Sequence, residues 1–315
     1  MASYITRRLL FMVPSLLLLL LLTVLMVRAI PGNVVDLMLQ EQGSQAGQRE
    51  TVIHNLGLDE SIPVSFVNYV KDLATGNLGN SLWTGQPVWD QIGPRLPVTL
   101  ALMLLSLVLT VAIALPIGVI AGVFQDSPLD YALRGVFTFF LSVPVFVLAT
   151  LVIVLPAIWW QWTPNTQYQS MSANPLGAIR QLLLPSVVIA FSSAAPLARI
   201  TRTLMLEVLS EDYVRTARAK GLSEFTVVGR HALRNALIPV ITSIGLIFAR
   251  AITGAVVLEQ IFAIPGMGNL LVQSVNLRDY PFVQAIVLIV GAWVMLSNIA
   301  IDVAYGYLDP RIRMS

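Results

Sequence analysis

Six long apolar runs constrain this chain more than any other feature of its sequence. They cover residues 9–30, 98–123, 135–160, 182–200, 237–261 and 282–305, and each approaches the ~20 apolar residues that a helix needs to cross a bilayer. Lipid offers a peptide group no hydrogen bond, so such runs satisfy their own backbone as helices. Composition agrees, because 56% of the 315 residues are hydrophobic and only 11% are charged, against about 25% charged in a soluble domain. The expected fold class is an all-α integral membrane protein of about six transmembrane helices. Its expected parts are an N-terminal transmembrane helix (1–30), a small extracytoplasmic cap segment (31–97), a five-helix core (98–305) and a short tail (306–315).

The first run follows Arg7 and Arg8, as a signal peptide would. At 22 residues it is too long for the apolar core of such a signal, and its exit at Val27-Arg28-Ala29-Ile30 lacks a small-x-small cleavage site. An uncleaved first helix is expected. Orientation follows from the arginines and lysines between the runs. With the N-terminus cytoplasmic, twelve lie inside, among them Arg134, Arg199, Arg202, Arg215, Arg218, Lys220, Arg230 and Arg234, and six lie outside. Both termini are therefore expected in the cytoplasm. The net charge of +2 is too small to argue for a nucleic-acid partner.

The chain has no cysteine and only two histidines, His54 and His231. Thiolate chemistry is excluded, and a histidine-based metal site or catalytic centre has almost nothing to draw on. Nor is there a Gly-x-x-x-x-Gly-Lys-Ser/Thr phosphate loop. No cofactor is expected on this chain, and it does not read as an enzyme.

The most basic connection, 201–236, carries a short helix outside the membrane. Ser210 is a candidate N-cap, with Glu211 and Asp212 in the first turn, where the helix dipole favours negative charge. Arg218 and Lys220 close the helix, and Gly221 suits the left-handed position that ends it. Tyr213, Ala217 and Gly221 recur at i, i+4 and i+8, a narrow face of aromatic and small groups that lets another protein's surface approach. Composition alone leaves a second possibility, a basic loop lying on anionic headgroups. The fifth run places Ser243, Arg250 and Gly254 on one face, at spacings of seven and four. Arg250 stands near mid-membrane, where a charge on a helix costs about 2.5–3.5 kcal/mol. It is expected either to line a translocation pathway or to pair with a group in the bundle or on a partner. Glu259, at the end of the same run, is a candidate for that pathway's mouth or for capping the loop that follows. Gly118 and Gly122 read as a site of close helix packing.

Five segments carry a family resemblance. Asp212-Tyr213-Val214-Arg215-Thr216-Ala217-Arg218-Ala219-Lys220-Gly221 resembles the coupling loop of permease subunits of bacterial ATP-binding-cassette importers, in the form typical of the dipeptide/oligopeptide/nickel branch. The family's Glu-Ala-Ala triplet is replaced here by Arg215, Thr216 and Ala217. Leu56-Gly57-Leu58-Asp59 with Gly76-Asn77-Leu78-Gly79-Asn80-Ser81 is similar to the outer segment of the first permease of that branch, where aspartate is usual at the places of Asn77 and Asn33. Arg95-Leu96-Pro97-Val98-Thr99-Leu100, Glu259-Gln260-Ile261-Phe262-Ala263-Ile264-Pro265-Gly266-Met267-Gly268 and Asp309-Pro310-Arg311-Ile312-Arg313 match its other motifs in order.

The resemblance implies a permease that pairs with a second, homologous permease in a heterodimer. It implies docking of two cytoplasmic ATPases, which hold the ATP and Mg, and delivery of cargo by an extracytoplasmic substrate-binding protein. Tyr213, Arg215, Thr216, Ala217, Arg218 and Gly221 would couple to the ATPase, and Ser243, Arg250, Gly254 and Glu259 would line the pathway. A di- or oligopeptide is the expected cargo; a nickel chelate, glutathione or an oligosaccharide would use the same machinery. A secondary transporter or channel would instead need a series of intramembrane acids or a repeated filter, and a membrane hydrolase would need a nucleophile with its base at membrane depth.

Overall fold

The computed structural model describes residues 2–29, 53, 59–164 and 168–308. Among them the regular elements are helices, apart from one isolated bridge between Asn80 and Pro87. In chain order they are α1 (Ala2–Ala29), α2 (Ile62–Ala74), α3 (Val88–Val123), α4 (Pro128–Ser142), α5 (Val145–Trp160), α6 (Pro175–Leu209), α7 (Asp212–Ala219), α8 (Leu233–Ile261), α9 (Met267–Asn276) and α10 (Tyr280–Leu308). A short helical piece, Glu224–Thr226, and a π-helical turn, Val227–Ala232, lead into α8. Asn33, His54, the Leu56–Leu58 part of the outer motif and the whole 309–313 motif lie outside the described residues.

Among the described residues four helices are long and apolar enough to span a membrane: α3, α6, α8 with its lead-in, and α10. The expected third span, 135–160, is not one helix. It is α4 and α5, bent by 96° at a break of two residues, and the pair counts as a fifth crossing only if taken together. Pro144 causes the break. It excludes the helical region for Val143, which is extended (φ −95°, ψ 120°), and its ring ends α4 while opening α5. Pro156, Pro185 and Pro196 stay inside their helices. The first run lies in α1, whose apolar stretch is the shorter Leu10–Met26.

The chain divides into two compact units. The first comprises Val98–Pro265 and the segment from Ser297 onward. Here α6 is the central helix, packed against α4, α5 and α8. Its buried residues are small or aliphatic, with Ala194, Ala195, Leu197 and Ala198 meeting Ala114, Phe137 and Val240. The C-terminal half of α6 crosses α3 at close range. A Cβ on Gly118 would stand 2.6 Å from Thr201 Cβ and 2.7 Å from the Ala198 carbonyl, and one on Gly122 would stand 2.8 Å from Met205 Cβ. The glycine pair lets these two backbones touch, as small residues do at membrane helix contacts.

The second unit comprises Ala2–Pro97 and Gly266–Leu296. Its core gathers Leu78, Val88 and Ile92 with Met267, Leu270, Phe282, Ala285 and Ile286. The segment between α2 and α3 is a chain of tight turns with Gly76, Gly79 and Gly85 at positive φ. Asn77 accepts a bond from the Gly79 N–H at 2.9 Å, so the amide oxygen makes the turn bond that an aspartate oxygen would also make. Ser81 then donates to Asp279 at 2.6 Å, the Leu82 N–H donates to the same carboxylate at 3.1 Å, and the Trp83 indole N–H donates to the Leu277 carbonyl at 2.8 Å. These bonds fasten the turn segment to the corner between α9 and α10.

Candidate functional site

The α6–α8 connection folds as a single packed piece. α6 ends at Leu209, and Ser210 is its C-terminal residue, donating to the Glu207 carbonyl at 2.7 Å. The expected role of Ser210 is corrected on this point: Glu211 is the N-cap of α7, and no side chain caps it. The other end is as expected. Gly221 takes φ +78°, its N–H donates to the Arg218 carbonyl at 2.9 Å, and the Leu222 N–H reaches the Ala217 carbonyl at 3.4 Å. This is the paired-bond arrangement that uses a left-handed glycine to stop a helix. Ser223 restarts the chain by accepting from the Thr226 N–H.

The six residues expected to couple to the ATPase divide in the structure. Arg215 and Thr216 are exposed, and Arg215 pairs only at 3.6 Å with exposed Asp212. Tyr213 is 41% exposed, and its hydroxyl accepts from Asn235 Nδ2 at 2.7 Å, which ties α7 to the start of α8. Arg218 holds Glu224 through Nε at 2.7 Å and so braces the Gly221 turn. Ala217 is only 7% exposed and packs with Val214 and Val227, beside Val208 and Leu209. Its small size serves close packing within this chain, because Ala217 follows Val214 by three residues and shares its inward face. Phe225, which the sequence did not single out, is 90% exposed beside the turn.

α8 presents two unlike faces. Val240, Ala249, Ile252, Ala255 and Leu258 are buried against the rest of the unit. Turned away from it are Pro239, Leu246, Arg250, Thr253, Val257 and Gln260, with half-buried Ser243 in the same row. Those positions step by four, three, four, three, four and three residues, a straight seam along the helix. Gly254 lies beside it, with no atom within 4 Å of where a Cβ would stand. Among the described residues Arg250 has no acidic partner. Glu259 is fully buried, with Thr99 Oγ1 donating to its carboxylate at 2.6 Å.

One joint escaped notice because its partners are 72 residues apart. Asp130, in the first turn of α4, is fully buried, and Arg202 on α6 grips it with Nε at 2.8 Å and Nη2 at 2.7 Å. The Asp126 N–H donates to the same carboxylate at 3.1 Å, and Arg134 Nε lies at 3.5 Å. Ser127 caps the helix by accepting from the Asp130 N–H. The Ser127-Pro128-x-Asp130 pattern marks a helix start, but nothing local points to Arg202. Among the described residues no group of three or more His, Cys, Asp or Glu is placed to hold a metal.

Comparison with known proteins agrees with this architecture. The family described as inner membrane component of binding-protein-dependent transport systems matches residues 114–314, and the N-terminal family of the same components matches residues 1–103. A di/tripeptide transport system permease protein of Pseudomonas aeruginosa is 39% identical over 99% of both chains. A dipeptide transport system permease protein of Escherichia coli is 35% identical over 99% of both. Among solved structures, a chain of the MetNI methionine ABC transporter, in inward-facing conformations, superposes with a TM-score of 0.57 at 17% identity, covering 68% of this chain and 94% of that one.

Proposed function

The chain belongs to the family of inner-membrane components of binding-protein-dependent transport systems, and from that premise we propose that it carries di- or oligopeptides along the exposed seam of α8. It is a multi-pass permease subunit and not an enzyme; ATP hydrolysis resides in partner subunits. The peptide assignment is supported by the names of the permeases that resemble it end to end.

The observation that carries the pathway is the seam itself. Arg250 and Thr253, in the same row as Ser243, face away from their own unit on a helix apolar enough to span a membrane. Lipid satisfies none of these groups. Another protein surface or a water-filled passage covers them, and a second, homologous permease provides both. The guanidinium of Arg250 offers donors to the carbonyls and the terminal carboxylate of a peptide. Ser243 and Thr253 add hydroxyls above and below it, and Gly254 leaves room for a main chain.

Coupling runs through α7. With both termini cytoplasmic, the basic 201–236 connection faces the cytoplasm, where two ATPases holding ATP and Mg dock on Arg215, Thr216, Tyr213 and the ring of Phe225. A binding protein delivers cargo on the opposite side, which the segment 31–97 caps. ATP-driven closure of the ATPases favours one packing of the permease pair over another, as any ligand does that binds one state better.

Dipeptide uptake by the reconstituted complex tests the pathway. Arg250→Gln is expected to lower uptake of a dipeptide by roughly tenfold while leaving assembly intact, with a smaller effect on a C-terminally amidated dipeptide. Equal uptake of both peptides by variant and wild type would refute the assignment.

A further inference from the structure

Resting on the proposal that α7 receives the movement of an ATPase, we infer that the Asp130–Arg202 pair is the positioning joint that passes this movement from α6 to the α4–α5 arm. Arg202 precedes the first residue of α7 by ten positions, and only Ser210 and Glu211 separate the two helices. From Arg202 to the end of α6 at Leu209 the helix rises about 10 Å. Met205 packs with Ala232 and Ala236, and Val208 and Leu209 pack with Val214, Ala217 and Val227. The inner end of α6, α7 and the lead-in to α8 therefore move as one body.

On the other side of the joint stands α4. Its first turn is held to α6 by the two-pronged grip of part-buried Arg202 on fully buried Asp130, and the Asp126 N–H ties the preceding turn to the same carboxylate. Parting a buried ion pair leaves an uncompensated charge on each side, so this contact persists when the helices shift. The glycines of α3 hold α6 only by contact of small groups, which can slide. The ion pair, with its fork of two bonds, fixes direction as well as distance. Where α6 goes, the start of α4 follows.

The 96° bend at Val143-Pro144 turns α4's displacement into the direction of α5. α5 packs against α8, whose opposite side bears the Arg250 seam. The contacts from α7 through α6, the ion pair, α4 and α5 to α8 are continuous within one compact unit. Asp130 and Arg202 would touch neither ATP nor cargo in this scheme. They act by setting how far α4 moves.

The test is the number of ATP hydrolysed per dipeptide transported, measured on the reconstituted complex with its binding protein. The double variant Asp130→Asn/Arg202→Gln removes both charges of the joint together; Arg134, which also lies near Asp130, has a side chain that is 41% exposed to solvent. The double variant is expected to assemble and hydrolyse ATP within about twofold of wild type while uptake falls roughly tenfold, so that the ATP cost per dipeptide rises. Arg202→Lys keeps the charge but loses the fork, and is expected to fall between the two. Hydrolysis and uptake falling together, or a double variant that does not assemble, would assign the pair to stability and overturn the proposal. An unchanged ATP cost would overturn it while leaving the functional assignment standing. A wild-type complex without dipeptide-stimulated hydrolysis would overturn both.

Discussion

Asp279 shows how burial alters a single carboxylate. It is 3% exposed, and burial pushes its pKa above the usual carboxylate value, although the bonds from Ser81 and the Leu82 N–H pull the other way. A raised pKa means that the folded chain binds a proton there more tightly than the unfolded chain does. Its contribution to stability is therefore present at low pH and is lost as pH rises through the raised value. Asp279→Asn is expected to flatten this dependence. Thermal unfolding of the solubilised protein between mildly acidic and neutral pH measures it, and a variant that keeps the wild-type slope would assign the slope to other groups.

At the scale of one element, α7 combines the proposed docking surface with a packed core, and substitutions separate the two. Ala217→Asp places a carboxylate between Val214 and Val227, at a cost on the order of 3 kcal/mol for an unpaired buried charge. It is expected to reduce the amount of folded protein recovered from membranes. Arg215→Glu alters a side chain that is 72% exposed and weakly paired. It is expected to leave the yield unchanged and to weaken binding of the ATPase, read by co-purification. The reverse pattern would exchange the roles given to the two positions.

For the whole molecule, the question is what covers α8. The chain contains no cysteine, so one introduced cysteine is its only thiol. Thr253→Cys on the seam is expected to react with a water-soluble maleimide or to cross-link to a second permease. Val108→Cys, on an exposed apolar part of α3, is expected to react with neither. Equal silence at both positions would mean that lipid covers the seam.

What the sequence determined by itself is local in origin. Apolar runs declare helices because a run with no polar partner must satisfy its own backbone, and the helix stop at Gly221 depends on bonds within six residues. The glycine pair Gly118 and Gly122 announced a close crossing for the same reason, since nothing but its own size and spacing is needed. The family resemblance likewise rested on contiguous motifs. Direction and partnership required the tertiary structure. Ala217 and Tyr213 share a helix stripe by spacing, yet Ala217 turns inward because Val227 and Leu209 close over it. Glu259 sits two residues beyond Val257 of the exposed seam, yet Thr99, 160 positions away, draws it inside. The grip of Arg202 on Asp130 joins residues 72 positions apart in the chain. A buried charge must find its partner wherever the fold brings one, and no local pattern records where that is.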